Sequence, residues 1–113
     1  MSLIVMFSLN VNAQYTGKGS EVEVTTIKNV IDNAYKLDKS DALVKIKGFF
    51  VEQINSDTFW FTDATGKIQV ELEKKYFPQA PFNETTEVYI TGKVDHDVLE
   101  QTEIEIKEVV FVK

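Results

Sequence analysis

Apolar and polar positions alternate twice between residues 57 and 72, with a polar break between the two runs. Phe59 and Phe61 share one phase, and Ile68, Val70 and Leu72 share one phase after the break. A period of two puts successive side chains on opposite faces of a strand. Asp63-Ala64-Thr65-Gly66 supplies turn chemistry between the runs. The stretch reads as a hairpin with one apolar face that must pack on something. Upstream, the period changes. Ile27, Val30, Ile31 and Ala34 recur at helical spacing behind Thr25 or Thr26, either of which can cap. This predicts one helix of about three turns, too short to be stable unless it docks on a core.

A long strand is predicted over Ala42–Ile54, where Val44 and Ile46 alternate with Lys45 and Lys47. The alternation is expected to break at Gly48, because Phe49, Phe50 and Val51 follow without a polar partner. A glycine at such a break marks a bulge or bend. Residues 74–86 hold Pro78 and Pro81, which argue against a long helix. Tyr76, Phe77 and Phe82 in this link are expected to plug an open barrel end. A fourth strand follows over Glu87–Val94, with Val88, Ile90 and Gly92 on one face and Glu87, Tyr89 and Thr91 on the other. After a loop over Asp95–Gln101 comes a fifth strand, Thr102–Val112. There Ile104 and Ile106 point inward, Glu103, Glu105 and Lys107 outward, and the phase breaks at Glu108–Val110. Five half-apolar strands with a bent first strand suit a closed barrel, which removes bare edges. The predicted fold class is all-β with one N-terminal helix, a five-stranded OB-fold Greek-key barrel.

Composition narrows the chemistry. The chain of 113 residues is one domain, and its net charge of −6 opposes a phosphate backbone, so nucleic acid is not expected as a partner. The absence of cysteine removes disulfides, thiol catalysis and thiolate metal sites. Residues 1–13 carry no charged side chain, are mostly apolar from Leu3 to Leu9, and end in Val11-Asn12-Ala13, a cleavage-like pattern. The run is too short to span a bilayer, which takes roughly 20 residues. The expected organisation is a signal-peptide remnant over 1–13, a flexible arm over 14–24 and the barrel domain over 25–113. A periplasmic location follows from that reading.

The series Gly48-Phe-Phe-Val-Glu-Gln-Ile, Phe59-x-Phe61-x-Asp63-Ala-Thr-Gly66, Ile68-x-Val70, Val88-x-Ile90-x-Gly92-x-Val94-Asp95-x-Asp97 and Glu103-Ile-Glu-Ile resembles the bacterial OB-fold family of small exported stress-tolerance proteins, the YgiW/YdeI type. The resemblance covers roughly Thr25 to Val112. It implies a periplasmic protein that binds a partner or small ligand in envelope stress tolerance, without nucleic-acid binding and without a catalytic motif. The positions Gly48, Phe59, Phe61, Asp63, Gly66 and Gly92 carry the resemblance and look structural. The chain departs from the family pattern at Trp60 and at the proline-containing link.

The candidate sites follow from the faces. Asp63 is expected to accept hydrogen bonds from the Ala64–Gly66 turn, with Gly66 supplying a positive φ. If Phe59 and Phe61 point inward, Trp60 points outward, onto the face where OB-folds take ligands. The expected ligand-binding residues are Trp60, Gln69, Glu71, Lys45 and Lys47. Such an aromatic platform can stack on a sugar ring or on a partner's side chain. The expected partners are a small molecule, a cell-wall glycan or an envelope protein. No cofactor, metal or catalytic residue is assigned. Asp95-His96-Asp97 and the row Glu103, Glu105, Glu108 read as a solvated acidic turn and face. Two rival classes stay open: a single-stranded nucleic-acid module, and a small metal-dependent enzyme using His96.

Overall fold

The structure is a computed structural model that describes residues 21–113. The expected leader remnant at 1–13 and the arm up to residue 20 lie outside the described residues. The helical region is interrupted at one residue. Thr26 is extended (φ −115°, ψ 159°), and its hydroxyl accepts the Asn29 amide at 3.1 Å, so Thr26 is the cap. Helix α1, Ile27–Asp32, stops at Asn33 (φ −118°, ψ 21°), and α2 continues as Ala34–Ser40. One expected helix is therefore two. Ile27, Val30 and Ala34 are buried and Leu37 is half-buried against the core, whereas Ile31 is 47% exposed. Positions 27, 30, 34 and 37 form a narrow seam, and Ile31 falls beside it rather than on it.

Six strands follow the order β1-β2-β3-β4-β6-β5, and a β2–β5 pairing closes the barrel. They are β1 Val24–Thr25, β2 Leu43–Gln53, β3 Thr58–Asp63, β4 Gly66–Glu71, β5 Val88–Asp95 and β6 Glu103–Phe111. The barrel strands β2 to β6 are the five expected from the alternation. The short β1 was not foreseen. It runs parallel to β2, with Val24 opposite Lys45 and Thr25 opposite Ile46, so the last residue assigned to the arm is in the sheet.

Inside the barrel, Val44, Ile46, Phe50, Phe61, Ile68, Val70, Val88, Ile90, Ile104 and Ile106 join the helix residues in one buried cluster. The alternation of β2 runs unbroken through Gly48 to Phe50, which corrects the expected break at Gly48. The register shift falls between Phe50 and Glu52. Gly48 has a different task. At this residue β2 stops pairing with β5 (Leu43–Gly48) and starts pairing with β3 (Phe49–Gln53). A Cβ at Gly48 would overlap the Thr62 carbonyl oxygen and sit 2.9 Å from the Phe61 ring. Gly92 meets the Glu105 carbonyl in the same way. The β5–β6 register shifts between Thr91 and Gly92, where Thr91 faces Glu108 and Gly92 faces Ile106. Thr91 keeps its expected outward place, opposite Lys45 and between the inward Ile90 and Gly92, yet it is only 2% exposed.

The link after β4 opens with a 3-10 turn at Lys74–Tyr76. Phe82 then meets Phe50 in a tilted contact at 5.2 Å between centroids, and Phe77 meets Phe59 at 6.4 Å. Tyr76 and Phe82 are half-buried against the core, as expected of a plug, whereas Phe77, the third residue expected there, is exposed. Gly66 does not have a positive φ, which corrects that expectation; among the described residues only Asp41, which ends α2 at φ 58°, has a positive φ.

The two glycine roles separate by substitution. Gly48→Ala forces backbone apart from backbone and is expected to cost about 2 kcal/mol or more. Gly66→Ala meets only an Ile27 methyl at 3.8 Å, in ordinary contact, and is expected to be neutral or stabilising by less than about 1 kcal/mol. Urea denaturation of both variants checks this; equal midpoints would refute the close-approach account of Gly48.

Candidate functional site

Asp63 ends β3 and ties the hairpin to the helix. Its Oδ1 accepts the Thr65 amide at 2.7 Å, the Thr65 hydroxyl at 2.7 Å and the Gly66 amide at 3.2 Å. Its Oδ2 accepts the Ile27 amide at the start of α1 at 3.0 Å. Thr65 adds a second link by accepting the Lys28 amide at 3.0 Å. Partial burial pushes the Asp63 carboxyl pKa up. The Thr65 hydroxyl and the amides of Ile27, Thr65 and Gly66 outweigh it and hold the group below the usual aspartate value. A carboxylate so engaged is an anchor, not a proton acceptor for catalysis. The turn bonds match the sequence expectation. The bond to the helix spans 36 positions and had no local signal.

The outward face of β3 and β4 carries the aromatic candidate. Trp60 is half-buried and lies opposite Gln69 on β4, with Glu52 opposite it on β2. Ile31, Trp60, Lys67, Ile68, Gln69, Gln101 and Thr102 line a notch of about 120 Å³ between α1 and the loop before β6. The Lys67 ammonium stands 4.6 Å from the Trp60 ring centroid. Gln69 and Gln101 also line an adjoining cavity of about 340 Å³ with Asp95, Asp97, Glu100 and Glu103. Glu71 lies one step further along the face, directly opposite Glu105 across the parallel β4–β6 seam.

The five residues picked from the alternation therefore divide. Trp60, Gln69 and Glu71 share the β3–β4 face. Lys45 and Lys47 lie on the half of β2 that pairs with β5, opposite Thr91 and Tyr89. Lys45 sits 5.0 Å from the Tyr89 ring centroid. Lys47 lines a separate groove of about 560 Å³, together with Val24–Thr26 of the β1 segment, Gly48 and Phe49, the β3–β4 turn and Glu87. The cause is the strand handover at Gly48, since β3 flanks only the second half of β2.

Burial pushes the Glu103 carboxyl pKa up, and the nearby charges of Glu71, Asp95, Glu105 and Asp57 push it further. Glu71 is raised in the same way by burial and then by Glu105, Glu73 and Asp57, against a smaller opposing pull from Lys107. Glu71 and Glu103 are thus half-buried among like charges rather than on a wholly solvated face. His96 is structural: its amide donates to Asp38 at 2.8 Å, and its Nδ1 lies 2.9 Å from the Thr102 hydroxyl. Among the described residues, no three His, Cys, Asp or Glu side chains are grouped to hold a metal, and no helix is long and apolar enough to cross a membrane.

Residues 8–111 match the family profile described as bacterial OB fold (BOF) protein. The chain belongs to this family. It is similar to the calcium-regulated OB-fold protein CarO of Pseudomonas aeruginosa, 34% identical over 97% of this chain and 92% of CarO. It is also similar to protein YgiW of Escherichia coli, 31% identical over 76% of this chain and 62% of YgiW. The solved structure of E. coli YgiW superposes with a TM-score of 0.67, covering 80% of this chain and 90% of that one. For this BOF protein the closed barrel is thus a family property.

Sequence reasoning missed Lys67, Gln101 and Ile31 as neighbours of Trp60. Only Lys67 had a usable signal, since it precedes the second apolar run of the hairpin. Ile31 and Gln101 arrive from elements far away in the chain.

Two carboxylates respond to pH in opposite senses. Asp63 titrates lower in the fold than the roughly 3.9 of an unfolded aspartate. Its stabilisation is complete above that value and is lost as pH falls through the folded pKa. Asp63→Asn should cost about 1–2 kcal/mol at neutral pH, and less in acid. Glu103 titrates above its ordinary 4.5, so the fold favours its protonated form and loses that contribution as pH rises through the folded pKa. Glu103→Gln should raise the melting temperature at neutral pH and change little below about pH 4. Thermal melts of both variants across pH check the two signs.

Proposed function

We propose that this BOF protein is an exported, periplasmic, non-catalytic binding protein acting in envelope stress tolerance. Its ligand face is the β3–β4 surface around Trp60. The ligand is a small molecule, a cell-wall glycan or an envelope protein. The observation that carries this reading is the setting of Trp60, half-buried and outward-facing in a concave notch between a helix and a loop, with two amide side chains beside it. A fixed aromatic flanked by amides offers one apolar face and directed hydrogen bonds, the mix that ligand sites use. Gln69 and Glu71 belong to this face; Lys45 and Lys47 are left out of it. Export is supported by the uncharged, cleavage-like residues 1–13. The non-catalytic reading is supported by the roles of the two tempting side chains, Asp63 as an anchor to α1 and His96 as a tie to Thr102 across the loop. A nucleic-acid ligand is disfavoured because Glu71, Glu103 and Glu105 stand on the face that would meet the backbone.

Pull-down from envelope extracts with wild type and Trp60→Ala tests the face. Wild type is expected to recover glycan or protein that the variant loses; identical recovery would refute it. Tight, salt-sensitive binding of a labelled single-stranded oligonucleotide would overturn the ligand class.

A further inference from the structure

The Trp60 ring already carries a cation. Lys67 is exposed, and its ammonium is 4.6 Å from the ring centroid. It takes part in neither the Lys28–Asp32 nor the Lys93–Asp41 ion pair. The indole face is therefore its notable partner. A cation over a tryptophan face is attracted by the ring quadrupole. The surroundings carry the opposite charge. Beyond Gln69 and Gln101 the notch opens toward Asp95, Asp97, Glu100 and Glu103. Gln69 lies opposite Glu103, and Glu71 opposite Glu105. Glu71, Asp95, Glu103 and Glu105 stand close enough to raise the Glu71 and Glu103 carboxyls, so a cation arriving there relieves repulsion that the fold leaves in place.

We propose that the Trp60 notch takes its ligand through an ammonium or guanidinium group, and that Lys67 is the internal competitor holding the ring face until that group displaces it. The proposal rests on the assignment of the Trp60 face as the binding surface and adds the charge of what binds. The exchange argument is simple. A neutral ligand stacking on Trp60 must remove the Lys67 ammonium and replace it with nothing of like charge. A cationic ligand restores the same interaction, while Lys67, on an exposed flexible stem, moves into water. The ligand's remaining donors then meet the Gln69 and Gln101 carbonyls and the Glu103 and Asp95 carboxylates, where charge-assisted bonds are the stronger kind. The cation can belong to a free polyamine or to an arginine or lysine side chain of an envelope protein.

Trp60 is the one tryptophan in the chain, so emission excited selectively at the indole, beyond the absorption of the four tyrosines, reports the notch. The full chain is titrated at constant ionic strength with arginine amide, its neutral isostere citrulline amide, spermidine and N-acetylglucosamine. Saturable changes with arginine amide or spermidine, and none with citrulline amide, are expected. Lys67→Met keeps the stem and removes the competitor, so it should tighten arginine amide roughly two- to five-fold. Glu103→Gln should weaken it. Spermidine binding more tightly than arginine amide points to a free polyamine, and the reverse to a side chain. Equal binding of citrulline amide, or weaker cation binding in Lys67→Met, overturns the proposal. If N-acetylglucosamine binds as well as the cations, the charge selectivity fails while the Trp60 face stands; if no probe changes the emission, the cation proposal fails, and the Trp60→Ala pull-down decides the face separately.

Discussion

Barrel closure depends on two places where backbone meets backbone with no side chain between. Gly48 lies against the Thr62 carbonyl and Gly92 against that of Glu105. The two residues sit on the paired strands β2 and β5, Gly48 opposite Val88 and Gly92 opposite Val44. At Gly48 the long strand passes from one neighbour to another. At Gly92 the sixth strand is brought in at a bulge. Without these approaches β2 could not serve two partners, and the sheet would have an edge.

The second organising contact is polar. Asp63 joins the hairpin turn to the first turn of α1 through one carboxylate. The helix N-terminus gains an anion, which suits its macrodipole, and the turn gains a fixed shape without a glycine-type conformation. Orientation of α1 follows. Ile27 and Val30 go into the core, and Ile31 is left at the rim beside Trp60. The residues with the strongest motif character thus build the frame, and the residues interleaved with them form the notch.

The acidic side of the notch is a consequence of topology. The β4–β6 pairing is parallel and short, and it sets Glu71 against Glu105 while Val70 and Ile104 pack inward. The buried pair gives the seam its hold, and the carboxylates outside it work against one another. Stability is spent here on a charged surface, since Glu71 and Glu103 are half-buried among like charges. Membership in the BOF family accounts for the barrel; the Trp60 notch is argued from this chain's own side chains.

Local pattern determined much of this protein. The strands, the hairpin turn with Asp63 as acceptor, the helix cap region and the aromatic plug were all legible, because period, turn chemistry and proline placement act within a few residues of themselves. Phe59 and Phe61 inward with Trp60 outward needed only the alternation. Tertiary structure alone decided which strand flanks which half of β2, and so separated Lys45 and Lys47 from Trp60. It also decided that Thr91 is buried, that Gly48 serves a crossing rather than a bulge, and that Lys67, Ile31 and Gln101 surround one ring. Those outcomes depend on register and on contacts between residues tens of positions apart. The hydrophobic pattern of one strand carries its own faces, but not the identity of its neighbours.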